Sequence, residues 1–384
     1  MSKHILITSL SGSYGGMEIR MLQEAKILLD AGYAVSILVN PFNELAKFRD
    51  NVPTGAELHV ATVPYFLENW RFRRSKKILA WWFYKSFYRR IKPDLVHVFL
   101  CWTTYGLTHL WGASKNGIPS ILSIHNVFKS ESLSNYLLDH LASCFSFCQG
   151  GYGVSKSATT AFSAIYPQLD KSRLSTIPNW VDLQRFHPDP SSSQETRQSI
   201  GVDASQIVIG CIARLSPQKN LFYLIDVFGL VKQSCPEVFL LLVGSGELEQ
   251  ELSDYLQQKR LASTSKLIGY TPNVHEYYRA IDIHALLSLR EGFGISTIEA
   301  MASGCVCCVT DIPGSNDVIN RTDVGLRLPL DAPQQVADEI IALIANPVRQ
   351  KTLIENGTNE VQEQYEKNAV ENKILALYAE LFSQ

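Results

Sequence analysis

Across 384 residues no apolar run approaches the roughly 20 residues that a helix needs to cross a bilayer. The amino terminus, Met1-Ser2-Lys3-His4-Ile5-Leu6-Ile7-Thr8, enters a strand pattern at once. It carries neither the longer apolar segment nor the small-residue cleavage site of a secretory leader, so a cytoplasmic protein is expected. An excess of charge of either sign is also missing: 35 Lys and Arg against 37 Asp and Glu leave a formal net charge of -2. Nucleic-acid binders that work by bulk electrostatics carry a clear basic excess, and no nucleic-acid partner is expected. The eight cysteines form no paired C-x-x-C motif and have no histidines at metal-ligand spacing. Cys305, Cys307 and Cys308 fall within one predicted strand, and Cys144 and Cys148 lie one helical turn apart. Buried, reduced thiols are expected, with no metal and no cofactor. Internal repeats and low-complexity tracts are absent as well.

What is present reads as a layered α/β protein. Hydrophobic content of 46% and charged content of 19% are those of a folded globular chain, and the length suggests about two domains. Short apolar runs at His4 to Leu10, Ala34 to Val39, Leu95 to Leu100 and Ser120 to Ile124 alternate with helical patterns. That is the alternation of a parallel sheet wound on both faces. A second series comes after the polar stretch His187-Pro188-Asp189-Pro190-Ser191-Ser192-Ser193, with strands at Ile207 to Ala213, Val238 to Val243, Ile281 to Leu287 and Cys305 to Thr310. Two halves of similar size result, joined near residues 178 to 195. Ligand is expected between them, because each half points its strand ends at a cleft.

The most informative segment is Glu291-Gly292-Phe293-Gly294-Ile295-Ser296-Thr297-Ile298-Glu299, two carboxylates eight residues apart. It lies between a buried strand pattern and a helical one ending near Gly304, so it is a strand-to-helix loop. Open α/β folds place ligands at such loops, and a helix N-terminus there offers unpaired donors to phosphate. Gly292 and Gly294 remove side chains where backbone must come close. A plainer reading exists for Glu299, since Ser296-Thr297-Ile298-Glu299 also fits a capping box.

Other loops fall at the same predicted sheet edges. Strand Ile207 to Ala213 delivers Arg214, after which Ser216 as N-cap and Pro217 at the first position start a helix with Lys219 in its first turn. A cation there opposes the helix dipole at a cost of about 0.3–1 kcal/mol, which a bound anion would offset. The alternative for Lys219 is a solvated surface lysine. Gly244-Ser245-Gly246-Glu247 and Gly269-Tyr270-Thr271-Pro272-Asn273-Val274 could floor a nucleotide pocket or be ordinary turns. In the first half, Gly15 and Gly16 could admit a phosphate to a helix N-terminus, and His125 closes the strand Ser120 to Ile124. A dinucleotide fingerprint is not met: the G-x-G-x-x-G spacing is absent and strand two ends in Val39-Asn40 without a ribose-binding acid. Hydride transfer is therefore not expected.

In order along the chain, Gly15-Gly16, His125, Pro178-Asn179-Trp180-Val181-Asp182, Arg214 with Lys219, Val243-Gly244-Ser245-Gly246 and Glu291 to Glu299 resemble the retaining nucleotide-sugar glycosyltransferases of family four. The likeness runs nearly end to end. Its most specific parts are the Arg-x-x-x-x-Lys pair, the paired glutamates, and Ala302-Ser303-Gly304-Cys305-Val306 leading to Asp311-Ile312-Pro313-Gly314. The resemblance implies the GT-B fold: two Rossmann-like, doubly wound parallel-sheet domains facing across a deep cleft. Residues 1–178 with 368–384 would form the acceptor-side domain, the final helix crossing back to it, and residues 179–367 the nucleotide-sugar domain. By the same likeness Arg214 and Lys219 hold the diphosphate, and Glu299 the ribose hydroxyls. Glu291, with backbone donors from Phe293 to Ile295, holds the sugar. Gly244, Tyr270, Val274, Gly292 and Gly294 join the donor-binding set. His125 approaches the sugar from the other domain, and Gly15 and Gly16 line the diphosphate.

The activity implied by this likeness is a metal-independent, retaining transfer of a hexose, first choice glucose from UDP-glucose, to a glycan or lipid-linked glycan in envelope or exopolysaccharide synthesis. Fixed Arg and Lys charges would answer the negative charge on the departing diphosphate. Two other readings are an epimerase of the same architecture, which needs acid and base groups flanking the sugar ring, and a noncatalytic sugar-nucleotide binding protein. Asp317 stands where the family commonly has a glutamate, and Ile312-Pro313-Gly314-Ser315 has one glycine where the family often has two.

From Trp70 to Lys92 the chain carries nine Lys and Arg residues interleaved with aromatic ones and no acidic residue. Such a segment could lie on an anionic membrane, rings at the headgroups and cations on phosphates. It could equally be a core-packed helix with a solvated basic face.

Overall fold

In a computed structural model, residues 2–10, 12–68, 71–100, 104–128 and 135–383 are described. The chain divides into two compact units, Met1–Asn179 with Glu371–Gln384, and Trp180–Val370. Among the described residues the first unit holds strands β1 (His4–Ser9), β2 (Ala34–Val39), β3 (Glu57–Val60), β4 (Leu95–Leu100), β5 (Ser120–Ile124), β6 (Cys148–Gly153) and β7 (Leu174–Thr176), in sheet order β3-β2-β1-β4-β5-β6-β7. The second holds β8 (Ile207–Ile212), β9 (Val238–Val243), β10 (Ser265–Ile268), β11 (Ile283–Leu286), β12 (Val306–Thr310) and β13 (Leu326–Leu328), in order β10-β9-β8-β11-β12-β13. All their pairings are parallel. In both sheets the chain builds outward from its first strand, then returns to the other side of it. Loops therefore part between β1 and β4 and between β8 and β11, the switch points where doubly wound sheets bind ligands.

The strand compositions explain the layering. β4 and β9 are buried along their whole lengths, and Val-Phe-Leu-Leu-Leu-Val in β9 has no polar residue to face water, so helices must cover both faces. β6 reads Cys-Gln-Gly-Gly-Tyr-Gly, a poor strand by propensity. It pairs with β5 and β7 because its neighbours leave no room for side chains: a Cβ on Gly151 would stand 1.8 Å from the Leu122 carbonyl oxygen.

Three expectations need correction. Cys144 lies near the end of the helix Asn135–Phe145 while Cys148 opens β6, so a helical turn does not join them. The polar stretch His187 to Ser193 runs into the start of a helix, Pro190–Ile200, with the Asp189 carboxylate accepting from the Ser191 and Ser192 N–H groups. The α-helix after β8 starts at Leu221, so Lys219 precedes it rather than standing in its first turn. The seven described cysteines are buried and free; Cys101 lies outside the described residues.

The first unit is closed by its last segment. Tyr378, on the helix Lys367–Ser383, bonds His97 Nδ1 at 2.6 Å and donates to Glu24 Oε1 at 3.1 Å. Tyr152 donates to Glu24 Oε2 at 2.5 Å, and Arg20 donates to the Pro178 carbonyl at 3.0 Å. The Tyr378, His97, Glu24, Tyr152 and Arg20 side chains are all buried. Burial alone would raise the Glu24 pKa, but His97 and Arg20 outweigh it and lower it to about 2.

Candidate functional site

In the second unit the expected site residues fall along one sheet edge, the carboxyl ends of four adjacent strands. Tyr270 and Val274 follow β10, Gly244 follows β9, Arg214 and Lys219 follow β8, and Glu291 follows β11; Gly314 follows the next strand, β12. Close backbone approach knits these loops together. A Cβ on Gly244 would meet the Ala213 carbonyl oxygen at 2.0 Å, and one on Gly314, at φ +87°, would meet the Glu291 carbonyl oxygen at 2.2 Å. The β8 and β11 loops, on either side of the switch point, are joined by hydrogen bonds that include Leu289 N–H to Gln218 O at 2.9 Å, Gln218 Nε2 to Arg290 O at 2.9 Å, and Asn220 Nδ2 to Leu287 O at 3.2 Å.

The turn between β8 and its helix explains where Lys219 comes to stand. Pro217–Lys219 is a separate 3₁₀ turn, Ser216 makes no side-chain cap, and Asn220 in the left-handed region (φ 54°) precedes the α-helix Leu221–Ser234. The Lys219 ammonium donates to Glu291 Oε1 at 2.6 Å, a short charge-assisted bond, so Lys219 is not a solvated surface lysine. Arg214 is exposed at the end of β8.

The paired glutamates are held in different ways. Glu291 is buried and accepts from both Lys219 and Ser288 on one oxygen. Glu299 is not in a capping box: the helix is Ile295–Ala302, its N-cap is Gly294 at φ 92°, and no side chain caps it. The Glu299 carboxylate instead accepts from Tyr278 Oη at 2.9 Å. Burial pushes its pKa up to about 7, against the opposing pull of Tyr278 and Arg185. The Ile295 and Ser296 N–H groups, at the start of that helix, have no intrahelical acceptor and lie at the switch point. Phe293 itself turns inward, edge-on to Tyr365 at 5.4 Å.

Ser288 and Tyr278 escaped sequence reasoning. Ser288 lies three residues before Glu291 and carried a local hint. Tyr278 lies 21 residues from Glu299, and only the fold joins them.

In the first unit, Gly15 caps the helix Gly16–Asp30, and its N–H donates to Glu18 Oε2 at 2.8 Å. His125 follows β5, stacks on Phe99 at 5.0 Å and 16°, and bonds Ser123 Oγ through Nε2 at 3.0 Å. Burial, with Arg20 and His97 nearby, depresses its pKa well below 6.5 against the opposing pull of Glu24, so the imidazole is neutral at pH 7.

Residues 14–185 match the family model Glycosyltransferase Family 4, and residues 192–360 match Glycosyl transferases group 1. This chain is a family four glycosyltransferase. Among its relatives, the UDP-Gal:alpha-D-GlcNAc-diphosphoundecaprenol alpha-1,3-galactosyltransferase of Escherichia coli is 24% identical over 330 residues, 82% of this chain and 81% of that protein. EpsF of Bacillus subtilis (strain 168) is 30% identical over 187 residues, 48% of this chain, which there spans about half (47%) of that relative's length. The crystal structure of Anabaena Alr3699/HepE in complex with UDP and glucose superposes with a TM-score of 0.80 over 98% of this chain and 100% of that one, at 20% identity. That likeness carries the fold, two Rossmann-like parallel-sheet domains of the GT-B class.

The helix Arg73–Ile91 buries Ala80, Tyr84, Phe87, Tyr88 and Ile91. On the opposite stripe Ile78, Leu79 and Trp82 are 61%, 57% and 60% exposed, flanked by exposed Arg71 and Arg74 at one end and Arg89 and Arg90 at the other. The helix is core-packed, and the centre of its outer face is apolar rather than basic. Trp70 lies outside the described residues. No described helix is long and apolar enough to cross a membrane.

Proposed function

We propose that this glycosyltransferase moves a hexose, with retention and without a metal, from a nucleoside diphosphate sugar, UDP-glucose first, to a glycan or lipid-linked glycan acceptor. The observation that carries the reading is the Lys219–Glu291 pair at the β8/β11 switch point, 2.6 Å apart, beside Arg214 and an open helix N-terminus. A diphosphate there meets two cations and backbone N–H donors, while the carboxylates face hydroxyl groups of sugar and ribose. Developing charge on the leaving diphosphate is met by groups already in place. Neutral His125 serves as a hydrogen-bonding partner of the sugar rather than a cation. The Escherichia coli relative's substrates, a UDP-sugar and a diphosphoundecaprenol-linked acceptor, and the UDP and glucose bound by Alr3699/HepE support the donor and acceptor classes.

The outer stripe of the helix Arg73–Ile91 supports a peripheral seat on anionic lipid at a cytoplasmic membrane face. Its apolar centre would enter the headgroup boundary while the terminal cations meet phosphates. A lipid-linked acceptor would be met there.

The reading is tested by scoring a panel of nucleotide sugars for nucleotide release with and without glycan and lipid-linked acceptors. Acceptor-dependent release from UDP-glucose is expected. Isomerised donor without acceptor points instead to an epimerase, and donor binding without turnover across the panel to a noncatalytic binding protein.

A further inference from the structure

Each glutamate of the pair has one oxygen tied to a fully buried hydroxyl and the other left without a donor from the described residues. Ser288 Oγ and Lys219 Nζ both donate to Glu291 Oε1, each at 2.6 Å, and Ser288 is 0% exposed. Tyr278 Oη, also on a residue 0% exposed, donates to Glu299 Oε2 at 2.9 Å. Neither hydroxyl has room to wander. Ser288 follows β11 two residues after its last paired position, and the Tyr278 ring packs edge-on against Phe186 at 5.9 Å and His284 at 5.7 Å.

A carboxylate offers about four lone-pair sites on its two oxygens. Anchoring one oxygen stops rotation of the group and aims the lone pairs of the other. Lys219 cannot anchor Glu291 alone, because a diphosphate at the same loop competes for its ammonium; the Ser288 hydroxyl keeps hold of Oε1 when that happens. Satisfying two buried hydroxyls would need only neutral acceptors, yet both are met by carboxylates, whose burial costs far more.

Resting on the function proposed above, we infer that Ser288 and Tyr278 are positioning residues that divide donor recognition. Ser288 aims Glu291 Oε2 at the sugar, and Tyr278 aims Glu299 Oε1 at the ribose diol of the nucleotide. The division makes the two halves of the donor separately sensitive to two single-atom deletions.

The test uses the full chain, the nucleotide sugar it turns over, and the matching nucleoside diphosphate as the sugar-free probe. Ser288→Ala is expected to leave diphosphate affinity within about twofold while kcat/KM for the nucleotide sugar falls about fivefold or more. Tyr278→Phe is expected to weaken diphosphate and nucleotide sugar together, again about fivefold. Each loss should vanish when the partner is already neutral, in Glu291→Gln and Glu299→Gln respectively. Should Ser288→Ala fail to fold, Ser288→Cys, close in size with a weaker donor, is read the same way. Losses that persist in the glutamine backgrounds, an unchanged Ser288→Ala, or equal weakening of the bare diphosphate by both variants overturn the division while leaving the transferase reading standing. A wild-type chain that turns over no nucleotide sugar overturns that reading, and this inference with it.

Discussion

Lys219 and Arg214 stand five residues apart in sequence, and the 3₁₀ turn between them leaves Lys219 in contact with Glu291 and Arg214 at the tip of β8. If both cations grip the diphosphate, replacing either by alanine should lower donor turnover about tenfold, since one charge-assisted contact is worth about 1.5–3 kcal/mol. Steady-state kinetics on folded variants reads this, and unchanged turnover in the double variant would remove the clamp. The Glu299 carboxyl makes a second residue-scale prediction. Its pKa is raised from 4.5 to about 7, so the folded protein retains a proton that the unfolded chain has already released between those values. This group's contribution to stability therefore falls as pH rises through that window. Nucleotide affinity should move the other way, because a ribose diol donates to the ionised form: about tenfold tighter at pH 8 than at pH 6 by titration calorimetry. Glu299→Gln should flatten the difference. The candidate residues themselves were legible in the sequence as polar groups at strand ends. Their partners were not, since a hydrogen bond from Tyr278 to Glu299 depends on where two helices come to rest.

At the scale of elements, the helix Ile295–Ala302 begins on Gly294 at φ 92°, where a Cβ would also press on Thr297 Oγ1 at 3.1 Å. Gly294→Ala should destabilise the protein by about 1–2 kcal/mol, read as a lowered urea midpoint, and should weaken nucleotide binding by swinging the helix N-terminus. The capping box that Ser296 to Glu299 offered as an alternative does not form, because the helix has already begun at Ile295 with Gly294 as its N-cap. The helix Arg73–Ile91 carries a different prediction. Trp82→Glu and Leu79→Glu should abolish flotation with vesicles rich in anionic lipid while leaving turnover on a soluble acceptor intact. Absence of flotation by the wild-type chain would remove the membrane seat. Basic and aromatic composition marked this segment in the sequence, but two faces both bearing aromatics cannot be sorted into inner and outer until packing is known. Strands β3, β7, β10 and β13 were missed for a simpler reason: they are three or four residues long, too short for a period to show.

At the scale of the whole molecule, the last helix is part of the first unit's fold rather than an appendage. Tyr378 completes the buried set of Glu24, His97, Arg20 and Tyr152, and Tyr33 stacks on Phe382 at 5.7 Å. Tyr378→Phe leaves Glu24 Oε1 and His97 short of a buried hydrogen bond and should cost about 1–3 kcal/mol of stability in urea unfolding. Because Glu24 is held near pKa 2, below its ordinary 4.5, its contribution is present above about 4.5 and is lost as pH falls toward 2.

By itself the sequence determined the alternation of strands and helices, the two-unit plan, and which polar residues stand at strand ends, because these depend on local periodicity and on backbone chemistry within a few residues. Tertiary structure alone decided which oxygen of each glutamate is tied, that Lys219 faces a carboxylate, that the glycines of β6 make a strand, and which face of the basic helix meets solvent. Those outcomes depend on atoms far apart in the chain meeting at ångström distances, and no pattern along one strand of sequence encodes such a meeting.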